Sequence, residues 1–445
     1  MATELVTQDL YYAAFHGLVS TRRDEPEWLR EMRRRSFARF ESEGFPTVKN
    51  EEWKYTNVSA IAKAKFSPVM TANGTSLSQT SSRFTYEETK KSVFVFVNGI
   101  FRGDLSTIEA LPASVSALGL DEALRDDAHQ SLIRQSLEQD SIEEQNSFTL
   151  LNTALFAGAL FIKIPHGVEI ETPIQLQFVS EAVNGETPAA AFPRVVIIAE
   201  PNSAATIIES YRATDDTRAY FTNAVIDLLV GDGARIQHYK VQREGGRASH
   251  VARTRAELGS SSVYDTTTIN LGAALSRHDI NVRMDHEGAS CSVDGLYMID
   301  GHQHTDTHSV IDHRQPHCTS HQLYKGILDG KSRAVFNGKV FVRHGAQRTD
   351  AQQTNKNLLL SDEAQVDTKP QLEIFADDVK CTHGAAIGQL NEDEMFYLES
   401  RGINPALAKN MLTYGFAEEV IEKIKIDSIK RELDEAVLHR LHSEF

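Results

Sequence analysis

Between residues 151 and 390 no amphipathic helical pattern recurs, and short alternating segments follow one another with turn residues between them. Ile174, Leu176 and Phe178 alternate with Gln175 and Gln177, and Ile280, Val282 and Met284 alternate with Asn281, Arg283 and Asp285. That period of two belongs to half-buried strands. Turn signals recur at Gly231-Asp232-Gly233, Gly245-Gly246, Glu287-Gly288, Asp300-Gly301, Asp329-Gly330 and Asn337-Gly338. So long a β region outgrows one sandwich, whereas stacked coils lengthen without enlarging a globular core. The expected fold is mainly β, with a right-handed parallel β-helix over 151–390. Two sandwiches in tandem would space their turns similarly, and no strict sequence repeat separates the two arrangements.

Helical patterns flank this region. In DEPEWLREMRRRSFARFESEGFP, Trp28, Leu29, Met32, Phe37 and Phe40 fall at helical intervals behind Pro26, and Gly44-Phe45-Pro46 ends the run. Arg33 to Arg35 read as a solvated face. Residues 70–89 read as a polar loop, SVFVFVNG at 92–99 as a first buried strand, and 121–140 as a further helix, so 1–150 is a mainly helical region. From 391 to 445 the chain is helical again. There Val420, Ile421, Ile424, Ile426, Ile429, Leu433, Val437 and Leu441 form an apolar stripe that either packs on its own domain or serves a partner.

Against 46 Lys and Arg stand 62 Asp and Glu, a net charge of -16 that repels phosphate backbones and anionic lipid. No nucleic acid and no membrane surface is expected. No window approaches the roughly 18 unbroken apolar residues of a membrane span, and MATELVTQDLYYAAFHG lacks the pattern of a secretory leader. Three cysteines, Cys291, Cys318 and Cys381, are an odd number for a disulfide framework, which points to free thiols in a reducing, cytoplasmic setting.

Eight of the 17 histidines lie between His278 and His321. In DGHQHTDTHSVIDH, a strand would set Asp300, His302, His304, Asp306 and His308 on one face, an imidazole and carboxylate set suited to zinc or iron. The competing use is a ladder of hydrogen bonds between neighbouring strands. Farther on, CTHG places Cys381 and His383 two apart, thiol beside imidazole on one face, a pair acceptable to iron but two ligands short of a complete site, and the competing use of Cys381 is as a buried structural thiol. Cys291 and Cys318 read as buried structural thiols. Gly326-Ile-Leu-Asp-Gly330-Lys331-Ser332 imitates a phosphate loop, but three residues separate its glycines where four are needed, and a strand follows where a helix should. It reads as a hairpin turn. No G-x-S-x-G nucleophile elbow occurs.

NEEWKYTNV at 50–58, the run GHQHTDTHSVIDHRQPHCTSHQLYKGILDGKSRAVFNGKVFVRHGAQRTDAQQTNKNLLLS at 301–361, and KPQLEIFADDVKCTHGAAIG followed by LESRGI together resemble the SufB/SufD family of SUF-system iron-sulfur cluster assembly proteins. NEEWKYTNV and the lack of any cysteine before Cys291 place the resemblance on the SufD side. It implies a β-helix core between helical ends, and a scaffold subunit without catalysis of its own in a SufB-SufC-SufD complex. In that complex the chain pairs with SufB through the β-helices and docks the SufC ATPase on its C-terminal helices; a homodimer is an alternative in SufB's absence. It implies a transient iron-sulfur cluster shared with SufB, with His383 and its neighbour Cys381 as this chain's ligand candidates. It also implies reduced flavin in the assembly, which no residue here locates. The rival expectation is a metal-dependent β-helix hydrolase or lyase using His302, His304 and His308.

Overall fold

The computed structural model describes residues 2–71, 82–139, 145–181 and 187–442. Half of the polar stretch read as a loop (72–81) and the last residue of the 121–140 helical reading lie outside them. The chain opens with α1 (Ala2–Thr21), α2 (Glu27–Glu43), α3 (Ser59–Lys63) and β1 (Ser67–Pro68). β2 (Val93–Val97), β3 (Ile100–Thr107), β4 (Ser116–Gly119), α4 (Leu120–Ala123), α5 (Asp127–Leu137) and α6 (Ser147–Leu155) follow. The expected first strand is β2, and it belongs to the core, because it pairs in parallel with β6 (Ile174–Ser180), which follows β5 (Leu160–Ile164).

The strands continue as β7 (Ala189–Ala191), β8 (Arg194–Ala199), β9 (Ala204–Ala213), β10 (Phe221–Val230), β11 (Arg235–Gln242), β12 (Ser249–Leu258), β13 (Val263–Asn270) and β14 (Leu275–Met284). After them come β15 (Ser290–Ile299), β16 (His304–His313), β17 (Thr319–Leu328), β18 (Arg333–Val342), β19 (Asp350–Leu359), β20 (Gln365–Ile374) and β21 (Lys380–Gly388). From β8 onward even strands join one sheet and odd strands the other, every neighbour parallel, in a β-helix of about seven turns. Leu275 lies opposite His304 and His304 opposite Arg333, a step of 29 residues per coil. The step shortens to 26 between Ser249 and Leu275 and lengthens to 32 between Arg333 and Gln365. Corners of unequal length are why the sequence shows no strict repeat.

Two expected turns are corrected by this topology. The Gly326–Ser332 segment is no hairpin, since β17 pairs with β15 and β19 while β18 lies in the other sheet; Gly330, at φ 59°, turns the corner between them. Asn337-Gly338 is not a turn at all but the middle of β18.

The coil interior is packed by alternate residues such as Ile207, Ile236, Val293, Phe336 and Val340. Both outer faces are also covered, so strands such as β10 are buried along almost their whole length. The N-terminal helices bring Tyr11, Phe37, Phe40 and Phe148 onto Phe192, Phe221 and Val251 of the even sheet side. There Arg33 departs from the solvated face expected of it. It is 1% exposed, its guanidinium donating to Glu25 and to the carbonyls of Thr153, Ala154 and Phe156 at the end of α6, 3.9 Å from the Phe156 ring centre. A helix C-terminus leaves such carbonyls without partners, and Arg33 supplies the donors.

After β21 come α7 (Glu392–Ser400), α8 (Pro405–Ile421) and α9 (Asp427–His442). Val420, Ile421, Ile424, Ile426, Ile429, Leu433 and Val437 lie against Ile208, Tyr239, Ile269, Leu296, Leu323 and Ile327 on the outside of the odd sheet. The apolar stripe therefore packs neither within its own helices alone nor on a partner: the β-helix occupies it. The side chain of Leu441 lies outside those described. Among the described residues no helix is long and apolar enough to cross a membrane.

Candidate functional site

The two ends of the β-helix differ. At the first coil Phe101, Leu111, Val115 and Ala117 lie over the interior, beside strands β3 and β4 that run antiparallel to their neighbours. At the last coil β20 and β21 end their sheets with neighbours on one side only. Burial falls away there: β21 has no buried residue, and Ile374, Phe375 and Ile387 are 40%, 46% and 50% exposed. An apolar end with free parallel strand edges is a template for association.

Cys381 and His383 stand on β21. Register places Ala351 opposite Cys381 and Gln353 opposite His383, and since Ala351 and Gln353 point into the coil, so does the Cys381/His383 row. Cys381 is half-buried against the core, and burial pushes its thiol up, so it is protonated at neutral pH. His383 is exposed. The expected pairing of thiol and imidazole on one face is present, at a position that another chain can reach. Cys291 and Cys318 are buried, and burial pushes both thiols up, as inert structural cysteines require.

The histidine run is arranged otherwise. His304, Asp306 and His308 share the outer face of β16, but Asp300 and His302 precede the strand in an exposed corner, which corrects the expected five-residue row. His304 Nε2 is 3.0 Å from Thr56 Oγ1, which donates to Asp306 at 2.6 Å. His308 lies 3.0 Å from Asp306 and 3.4 Å from Glu52. Beneath them Arg277, 3.7 Å from the Trp53 ring centre, pairs with Asp279 at 2.9 Å and Asp306 at 2.8 Å and donates to the Glu52 carbonyl at 2.7 Å. Burial works against the charge on His308, but Asp306 and Glu52 push it up to about 9. Among the described residues no group of three or more His, Cys, Asp and Glu side chains is placed to hold a metal ion.

Sequence reasoning missed the residues that bind this cluster together. NEEWKYTNV entered only as a mark of resemblance, whereas Glu52, Trp53 and Thr56 are the contacts by which the N-terminal region clasps β14 and β16. Lys339 of β18 and Lys369 of β20 extend the clasp, bonding Glu52 at 2.7 Å and Glu51 at 3.0 Å. Also missed was a charged group inside the coil. Glu209 pairs with His238 at 2.7 Å, Lys240 lies 3.1 Å from His250, and His250 pairs with Glu244 at 2.8 Å, all within the buried interior. Period-two alternation marks those positions as inward but does not say that their polar groups satisfy one another.

Comparison with known sequences bears on this geometry. The family model described as "SUF system FeS cluster assembly, SufBD core domain" matches residues 179–416, and "SufBD protein N-terminal region" matches 7–176. An iron-sulfur cluster assembly SufBD family protein of Synechocystis is 36% identical over 88% of this chain and 86% of its own length. Iron-sulfur cluster assembly protein SufD of Escherichia coli is 34% identical over 89% and 90%. SufD of Bacillus subtilis is 26% identical over 97% and 98%.

Proposed function

This chain belongs to the SufBD family and has a role in iron-sulfur cluster assembly; from that premise we propose that it is a non-catalytic scaffold subunit that pairs with SufB at its open coil end and contributes His383 to a nascent cluster. The observation that carries the reading is the position of Cys381 and His383 together on β21, the one-sided last strand of its sheet. Two donors do not complete a cluster site, so the remaining ligands come from the facing chain. The cluster is cargo here, assembled and passed on. Cys381, whose thiol burial pushes up, ligates only by releasing its proton, whereas an imidazole ligates through the lone pair of one ring nitrogen.

The corner geometry of Gly326–Ser332 supports assigning ATP hydrolysis to a separate subunit, SufC. Its docking surface in this proposal is the C-terminal helical unit, where Phe396, Tyr397, Leu407 and Met411 are 72%, 56%, 46% and 47% exposed. Reduced flavin enters only as a component of the assembly, and the proposed compartment is the cytoplasm. The hydrolase or lyase reading needed His302, His304 and His308 on one strand face; only His304 and His308 share the outer face of β16, and both are bonded to protein groups.

Co-purification with SufB and SufC, followed by iron and sulfide analysis of the assembly with His383→Ala, tests the proposal. The expected result is an intact complex with reduced cluster content. Undiminished loading would remove His383 from the site, and a chain that elutes only as its own dimer in SufB's presence would remove the pairing.

A further inference from the structure

The interior near the open end holds a line of amides. Gln322 Nε2 of β17 donates to Ser309 Oγ of β16 at 2.7 Å, and Gln353 Nε2 of β19 donates to Gln322 Oε1 at 2.7 Å. Ser309, Gln322 and Gln353 are 1%, 1% and 2% exposed. Gly338, across the coil on β18, gives the line its space: a Cβ there would stand 2.3 Å from Gln353 Nε2 and 3.0 Å from Gln322 Oε1. This is why an Asn-Gly pair sits in mid-strand where a turn was expected.

The line has a direction. Each amide gives its N–H toward Ser309, so its outer terminus is an acceptor, Gln353 Oε1, which has no partner among the described residues. A buried amide oxygen left so costs about 1–3 kcal/mol. Its register neighbour on β21 is His383, on the same inward face and about 4.8 Å away strand to strand. An imidazole that binds iron through one nitrogen carries its proton on the other, and that N–H is held by a carbonyl or carboxylate in protein metal sites.

Resting on the reading of His383 as a cluster ligand, we propose that Gln353 is its positioning residue: Gln353 Oε1 accepts the N–H of one ring nitrogen and leaves the other, with its lone pair, facing out of the open end toward iron. A rotamer change of the exposed His383 side chain is enough to form the bond, and exposed side chains make such changes within nanoseconds. A neutral amide provides the acceptor without a further buried charge.

Ring-nitrogen NMR of the full chain labelled with 15N-histidine, without iron, tests this apart from cluster chemistry. The neutral His383 ring should favour one tautomer in the native chain. Gln353→Met, similar in length but lacking the acceptor, should shift the tautomer ratio at least about threefold. In the three-protein assembly, Gln353→Met should weaken cluster retention about 10–100-fold. Gln353→Leu replaces the Met variant if thermal unfolding shows the latter misfolded. A ratio unchanged by loss of the acceptor overturns the proposal. If His383→Ala keeps its cluster, the ligand reading fails while the tautomer result stands; if His383→Ala loses the cluster and Gln353→Met does not, the positioning role alone fails.

Discussion

Arg277 shows how much of this chain's order depends on single buried charges. It is flanked by Asp279 and Asp306 and lies against Trp53, so Arg277→Leu leaves Asp279 without its cation and Asp306 with His308 as its remaining one. A loss of about 3–5 kcal/mol in urea unfolding is expected, together with faster amide exchange across residues 50–58. His308 makes the same contact pH-sensitive. Its pKa of about 9 stands above the 6.5 of a free imidazole, so its contribution is whole below pH 6.5 and is lost as pH rises through about 9. Glu52, held at about 2 chiefly by its bond to His308, acts in the other sense: its contribution is present above 4.5 and lost as pH falls toward 2. The native midpoint in urea should decline between pH 6.5 and 9 while that of His308→Gln stays flatter; parallel curves would refute the assignment. Gly338→Ala, by intruding on the amide line, should cost about 1–3 kcal/mol by the same measurement. Of the candidate site, residue spacing made the same-face placement of Cys381 and His383 legible, because it follows from alternation; their candidacy as ligands came from the family resemblance. Arg33, Arg277 and Gln353 were not legible. A charged or amide side chain is assigned to water by default, and only tertiary structure shows which carbonyl or carboxylate receives it.

The C-terminal helices divide their apolar residues between two uses. Leu433 is fully buried against the odd sheet, and Leu433→Ala should lower stability by about 2–5 kcal/mol. Phe396 on α7 is 72% exposed, and Phe396→Ala should alter the isolated chain by no more than about 0.5 kcal/mol. Thermal denaturation of the two variants separates the stripe that holds the fold from the surface left over. At this scale the sequence was most readable: α2, β2 and the helical character of the C-terminal region fall where periodicity put them, and the region from 151 to 390 is strand-rich as expected, although Asn337-Gly338 proved to be strand rather than turn. What eluded it was partnership between elements. Period two says that Ile280 points inward and Asn281 outward, but not that a strand's neighbour lies some 29 residues away, nor that a stripe on α9 meets Tyr239 and Leu296. Such pairings depend on corner length and on which outer face remains uncovered.

The whole molecule is a polar object in the sense that its ends are unlike: one is closed over by Phe101, Leu111 and Val115, the other presents Ile374, Ile387 and two strand edges. Ile387→Asp, on the exposed last strand, should leave the thermal midpoint of the isolated chain nearly unchanged while abolishing its co-elution with SufB in gel filtration. Co-elution that survives this change would move the pairing surface elsewhere. The closed end also bears on assembly. With the first coil covered, the stack can be extended only at its C-terminal end, where β20 and β21 keep their free edges. On the proposed reading, a finished molecule therefore carries an uncovered terminus until another chain, SufB or a second copy of itself, meets it.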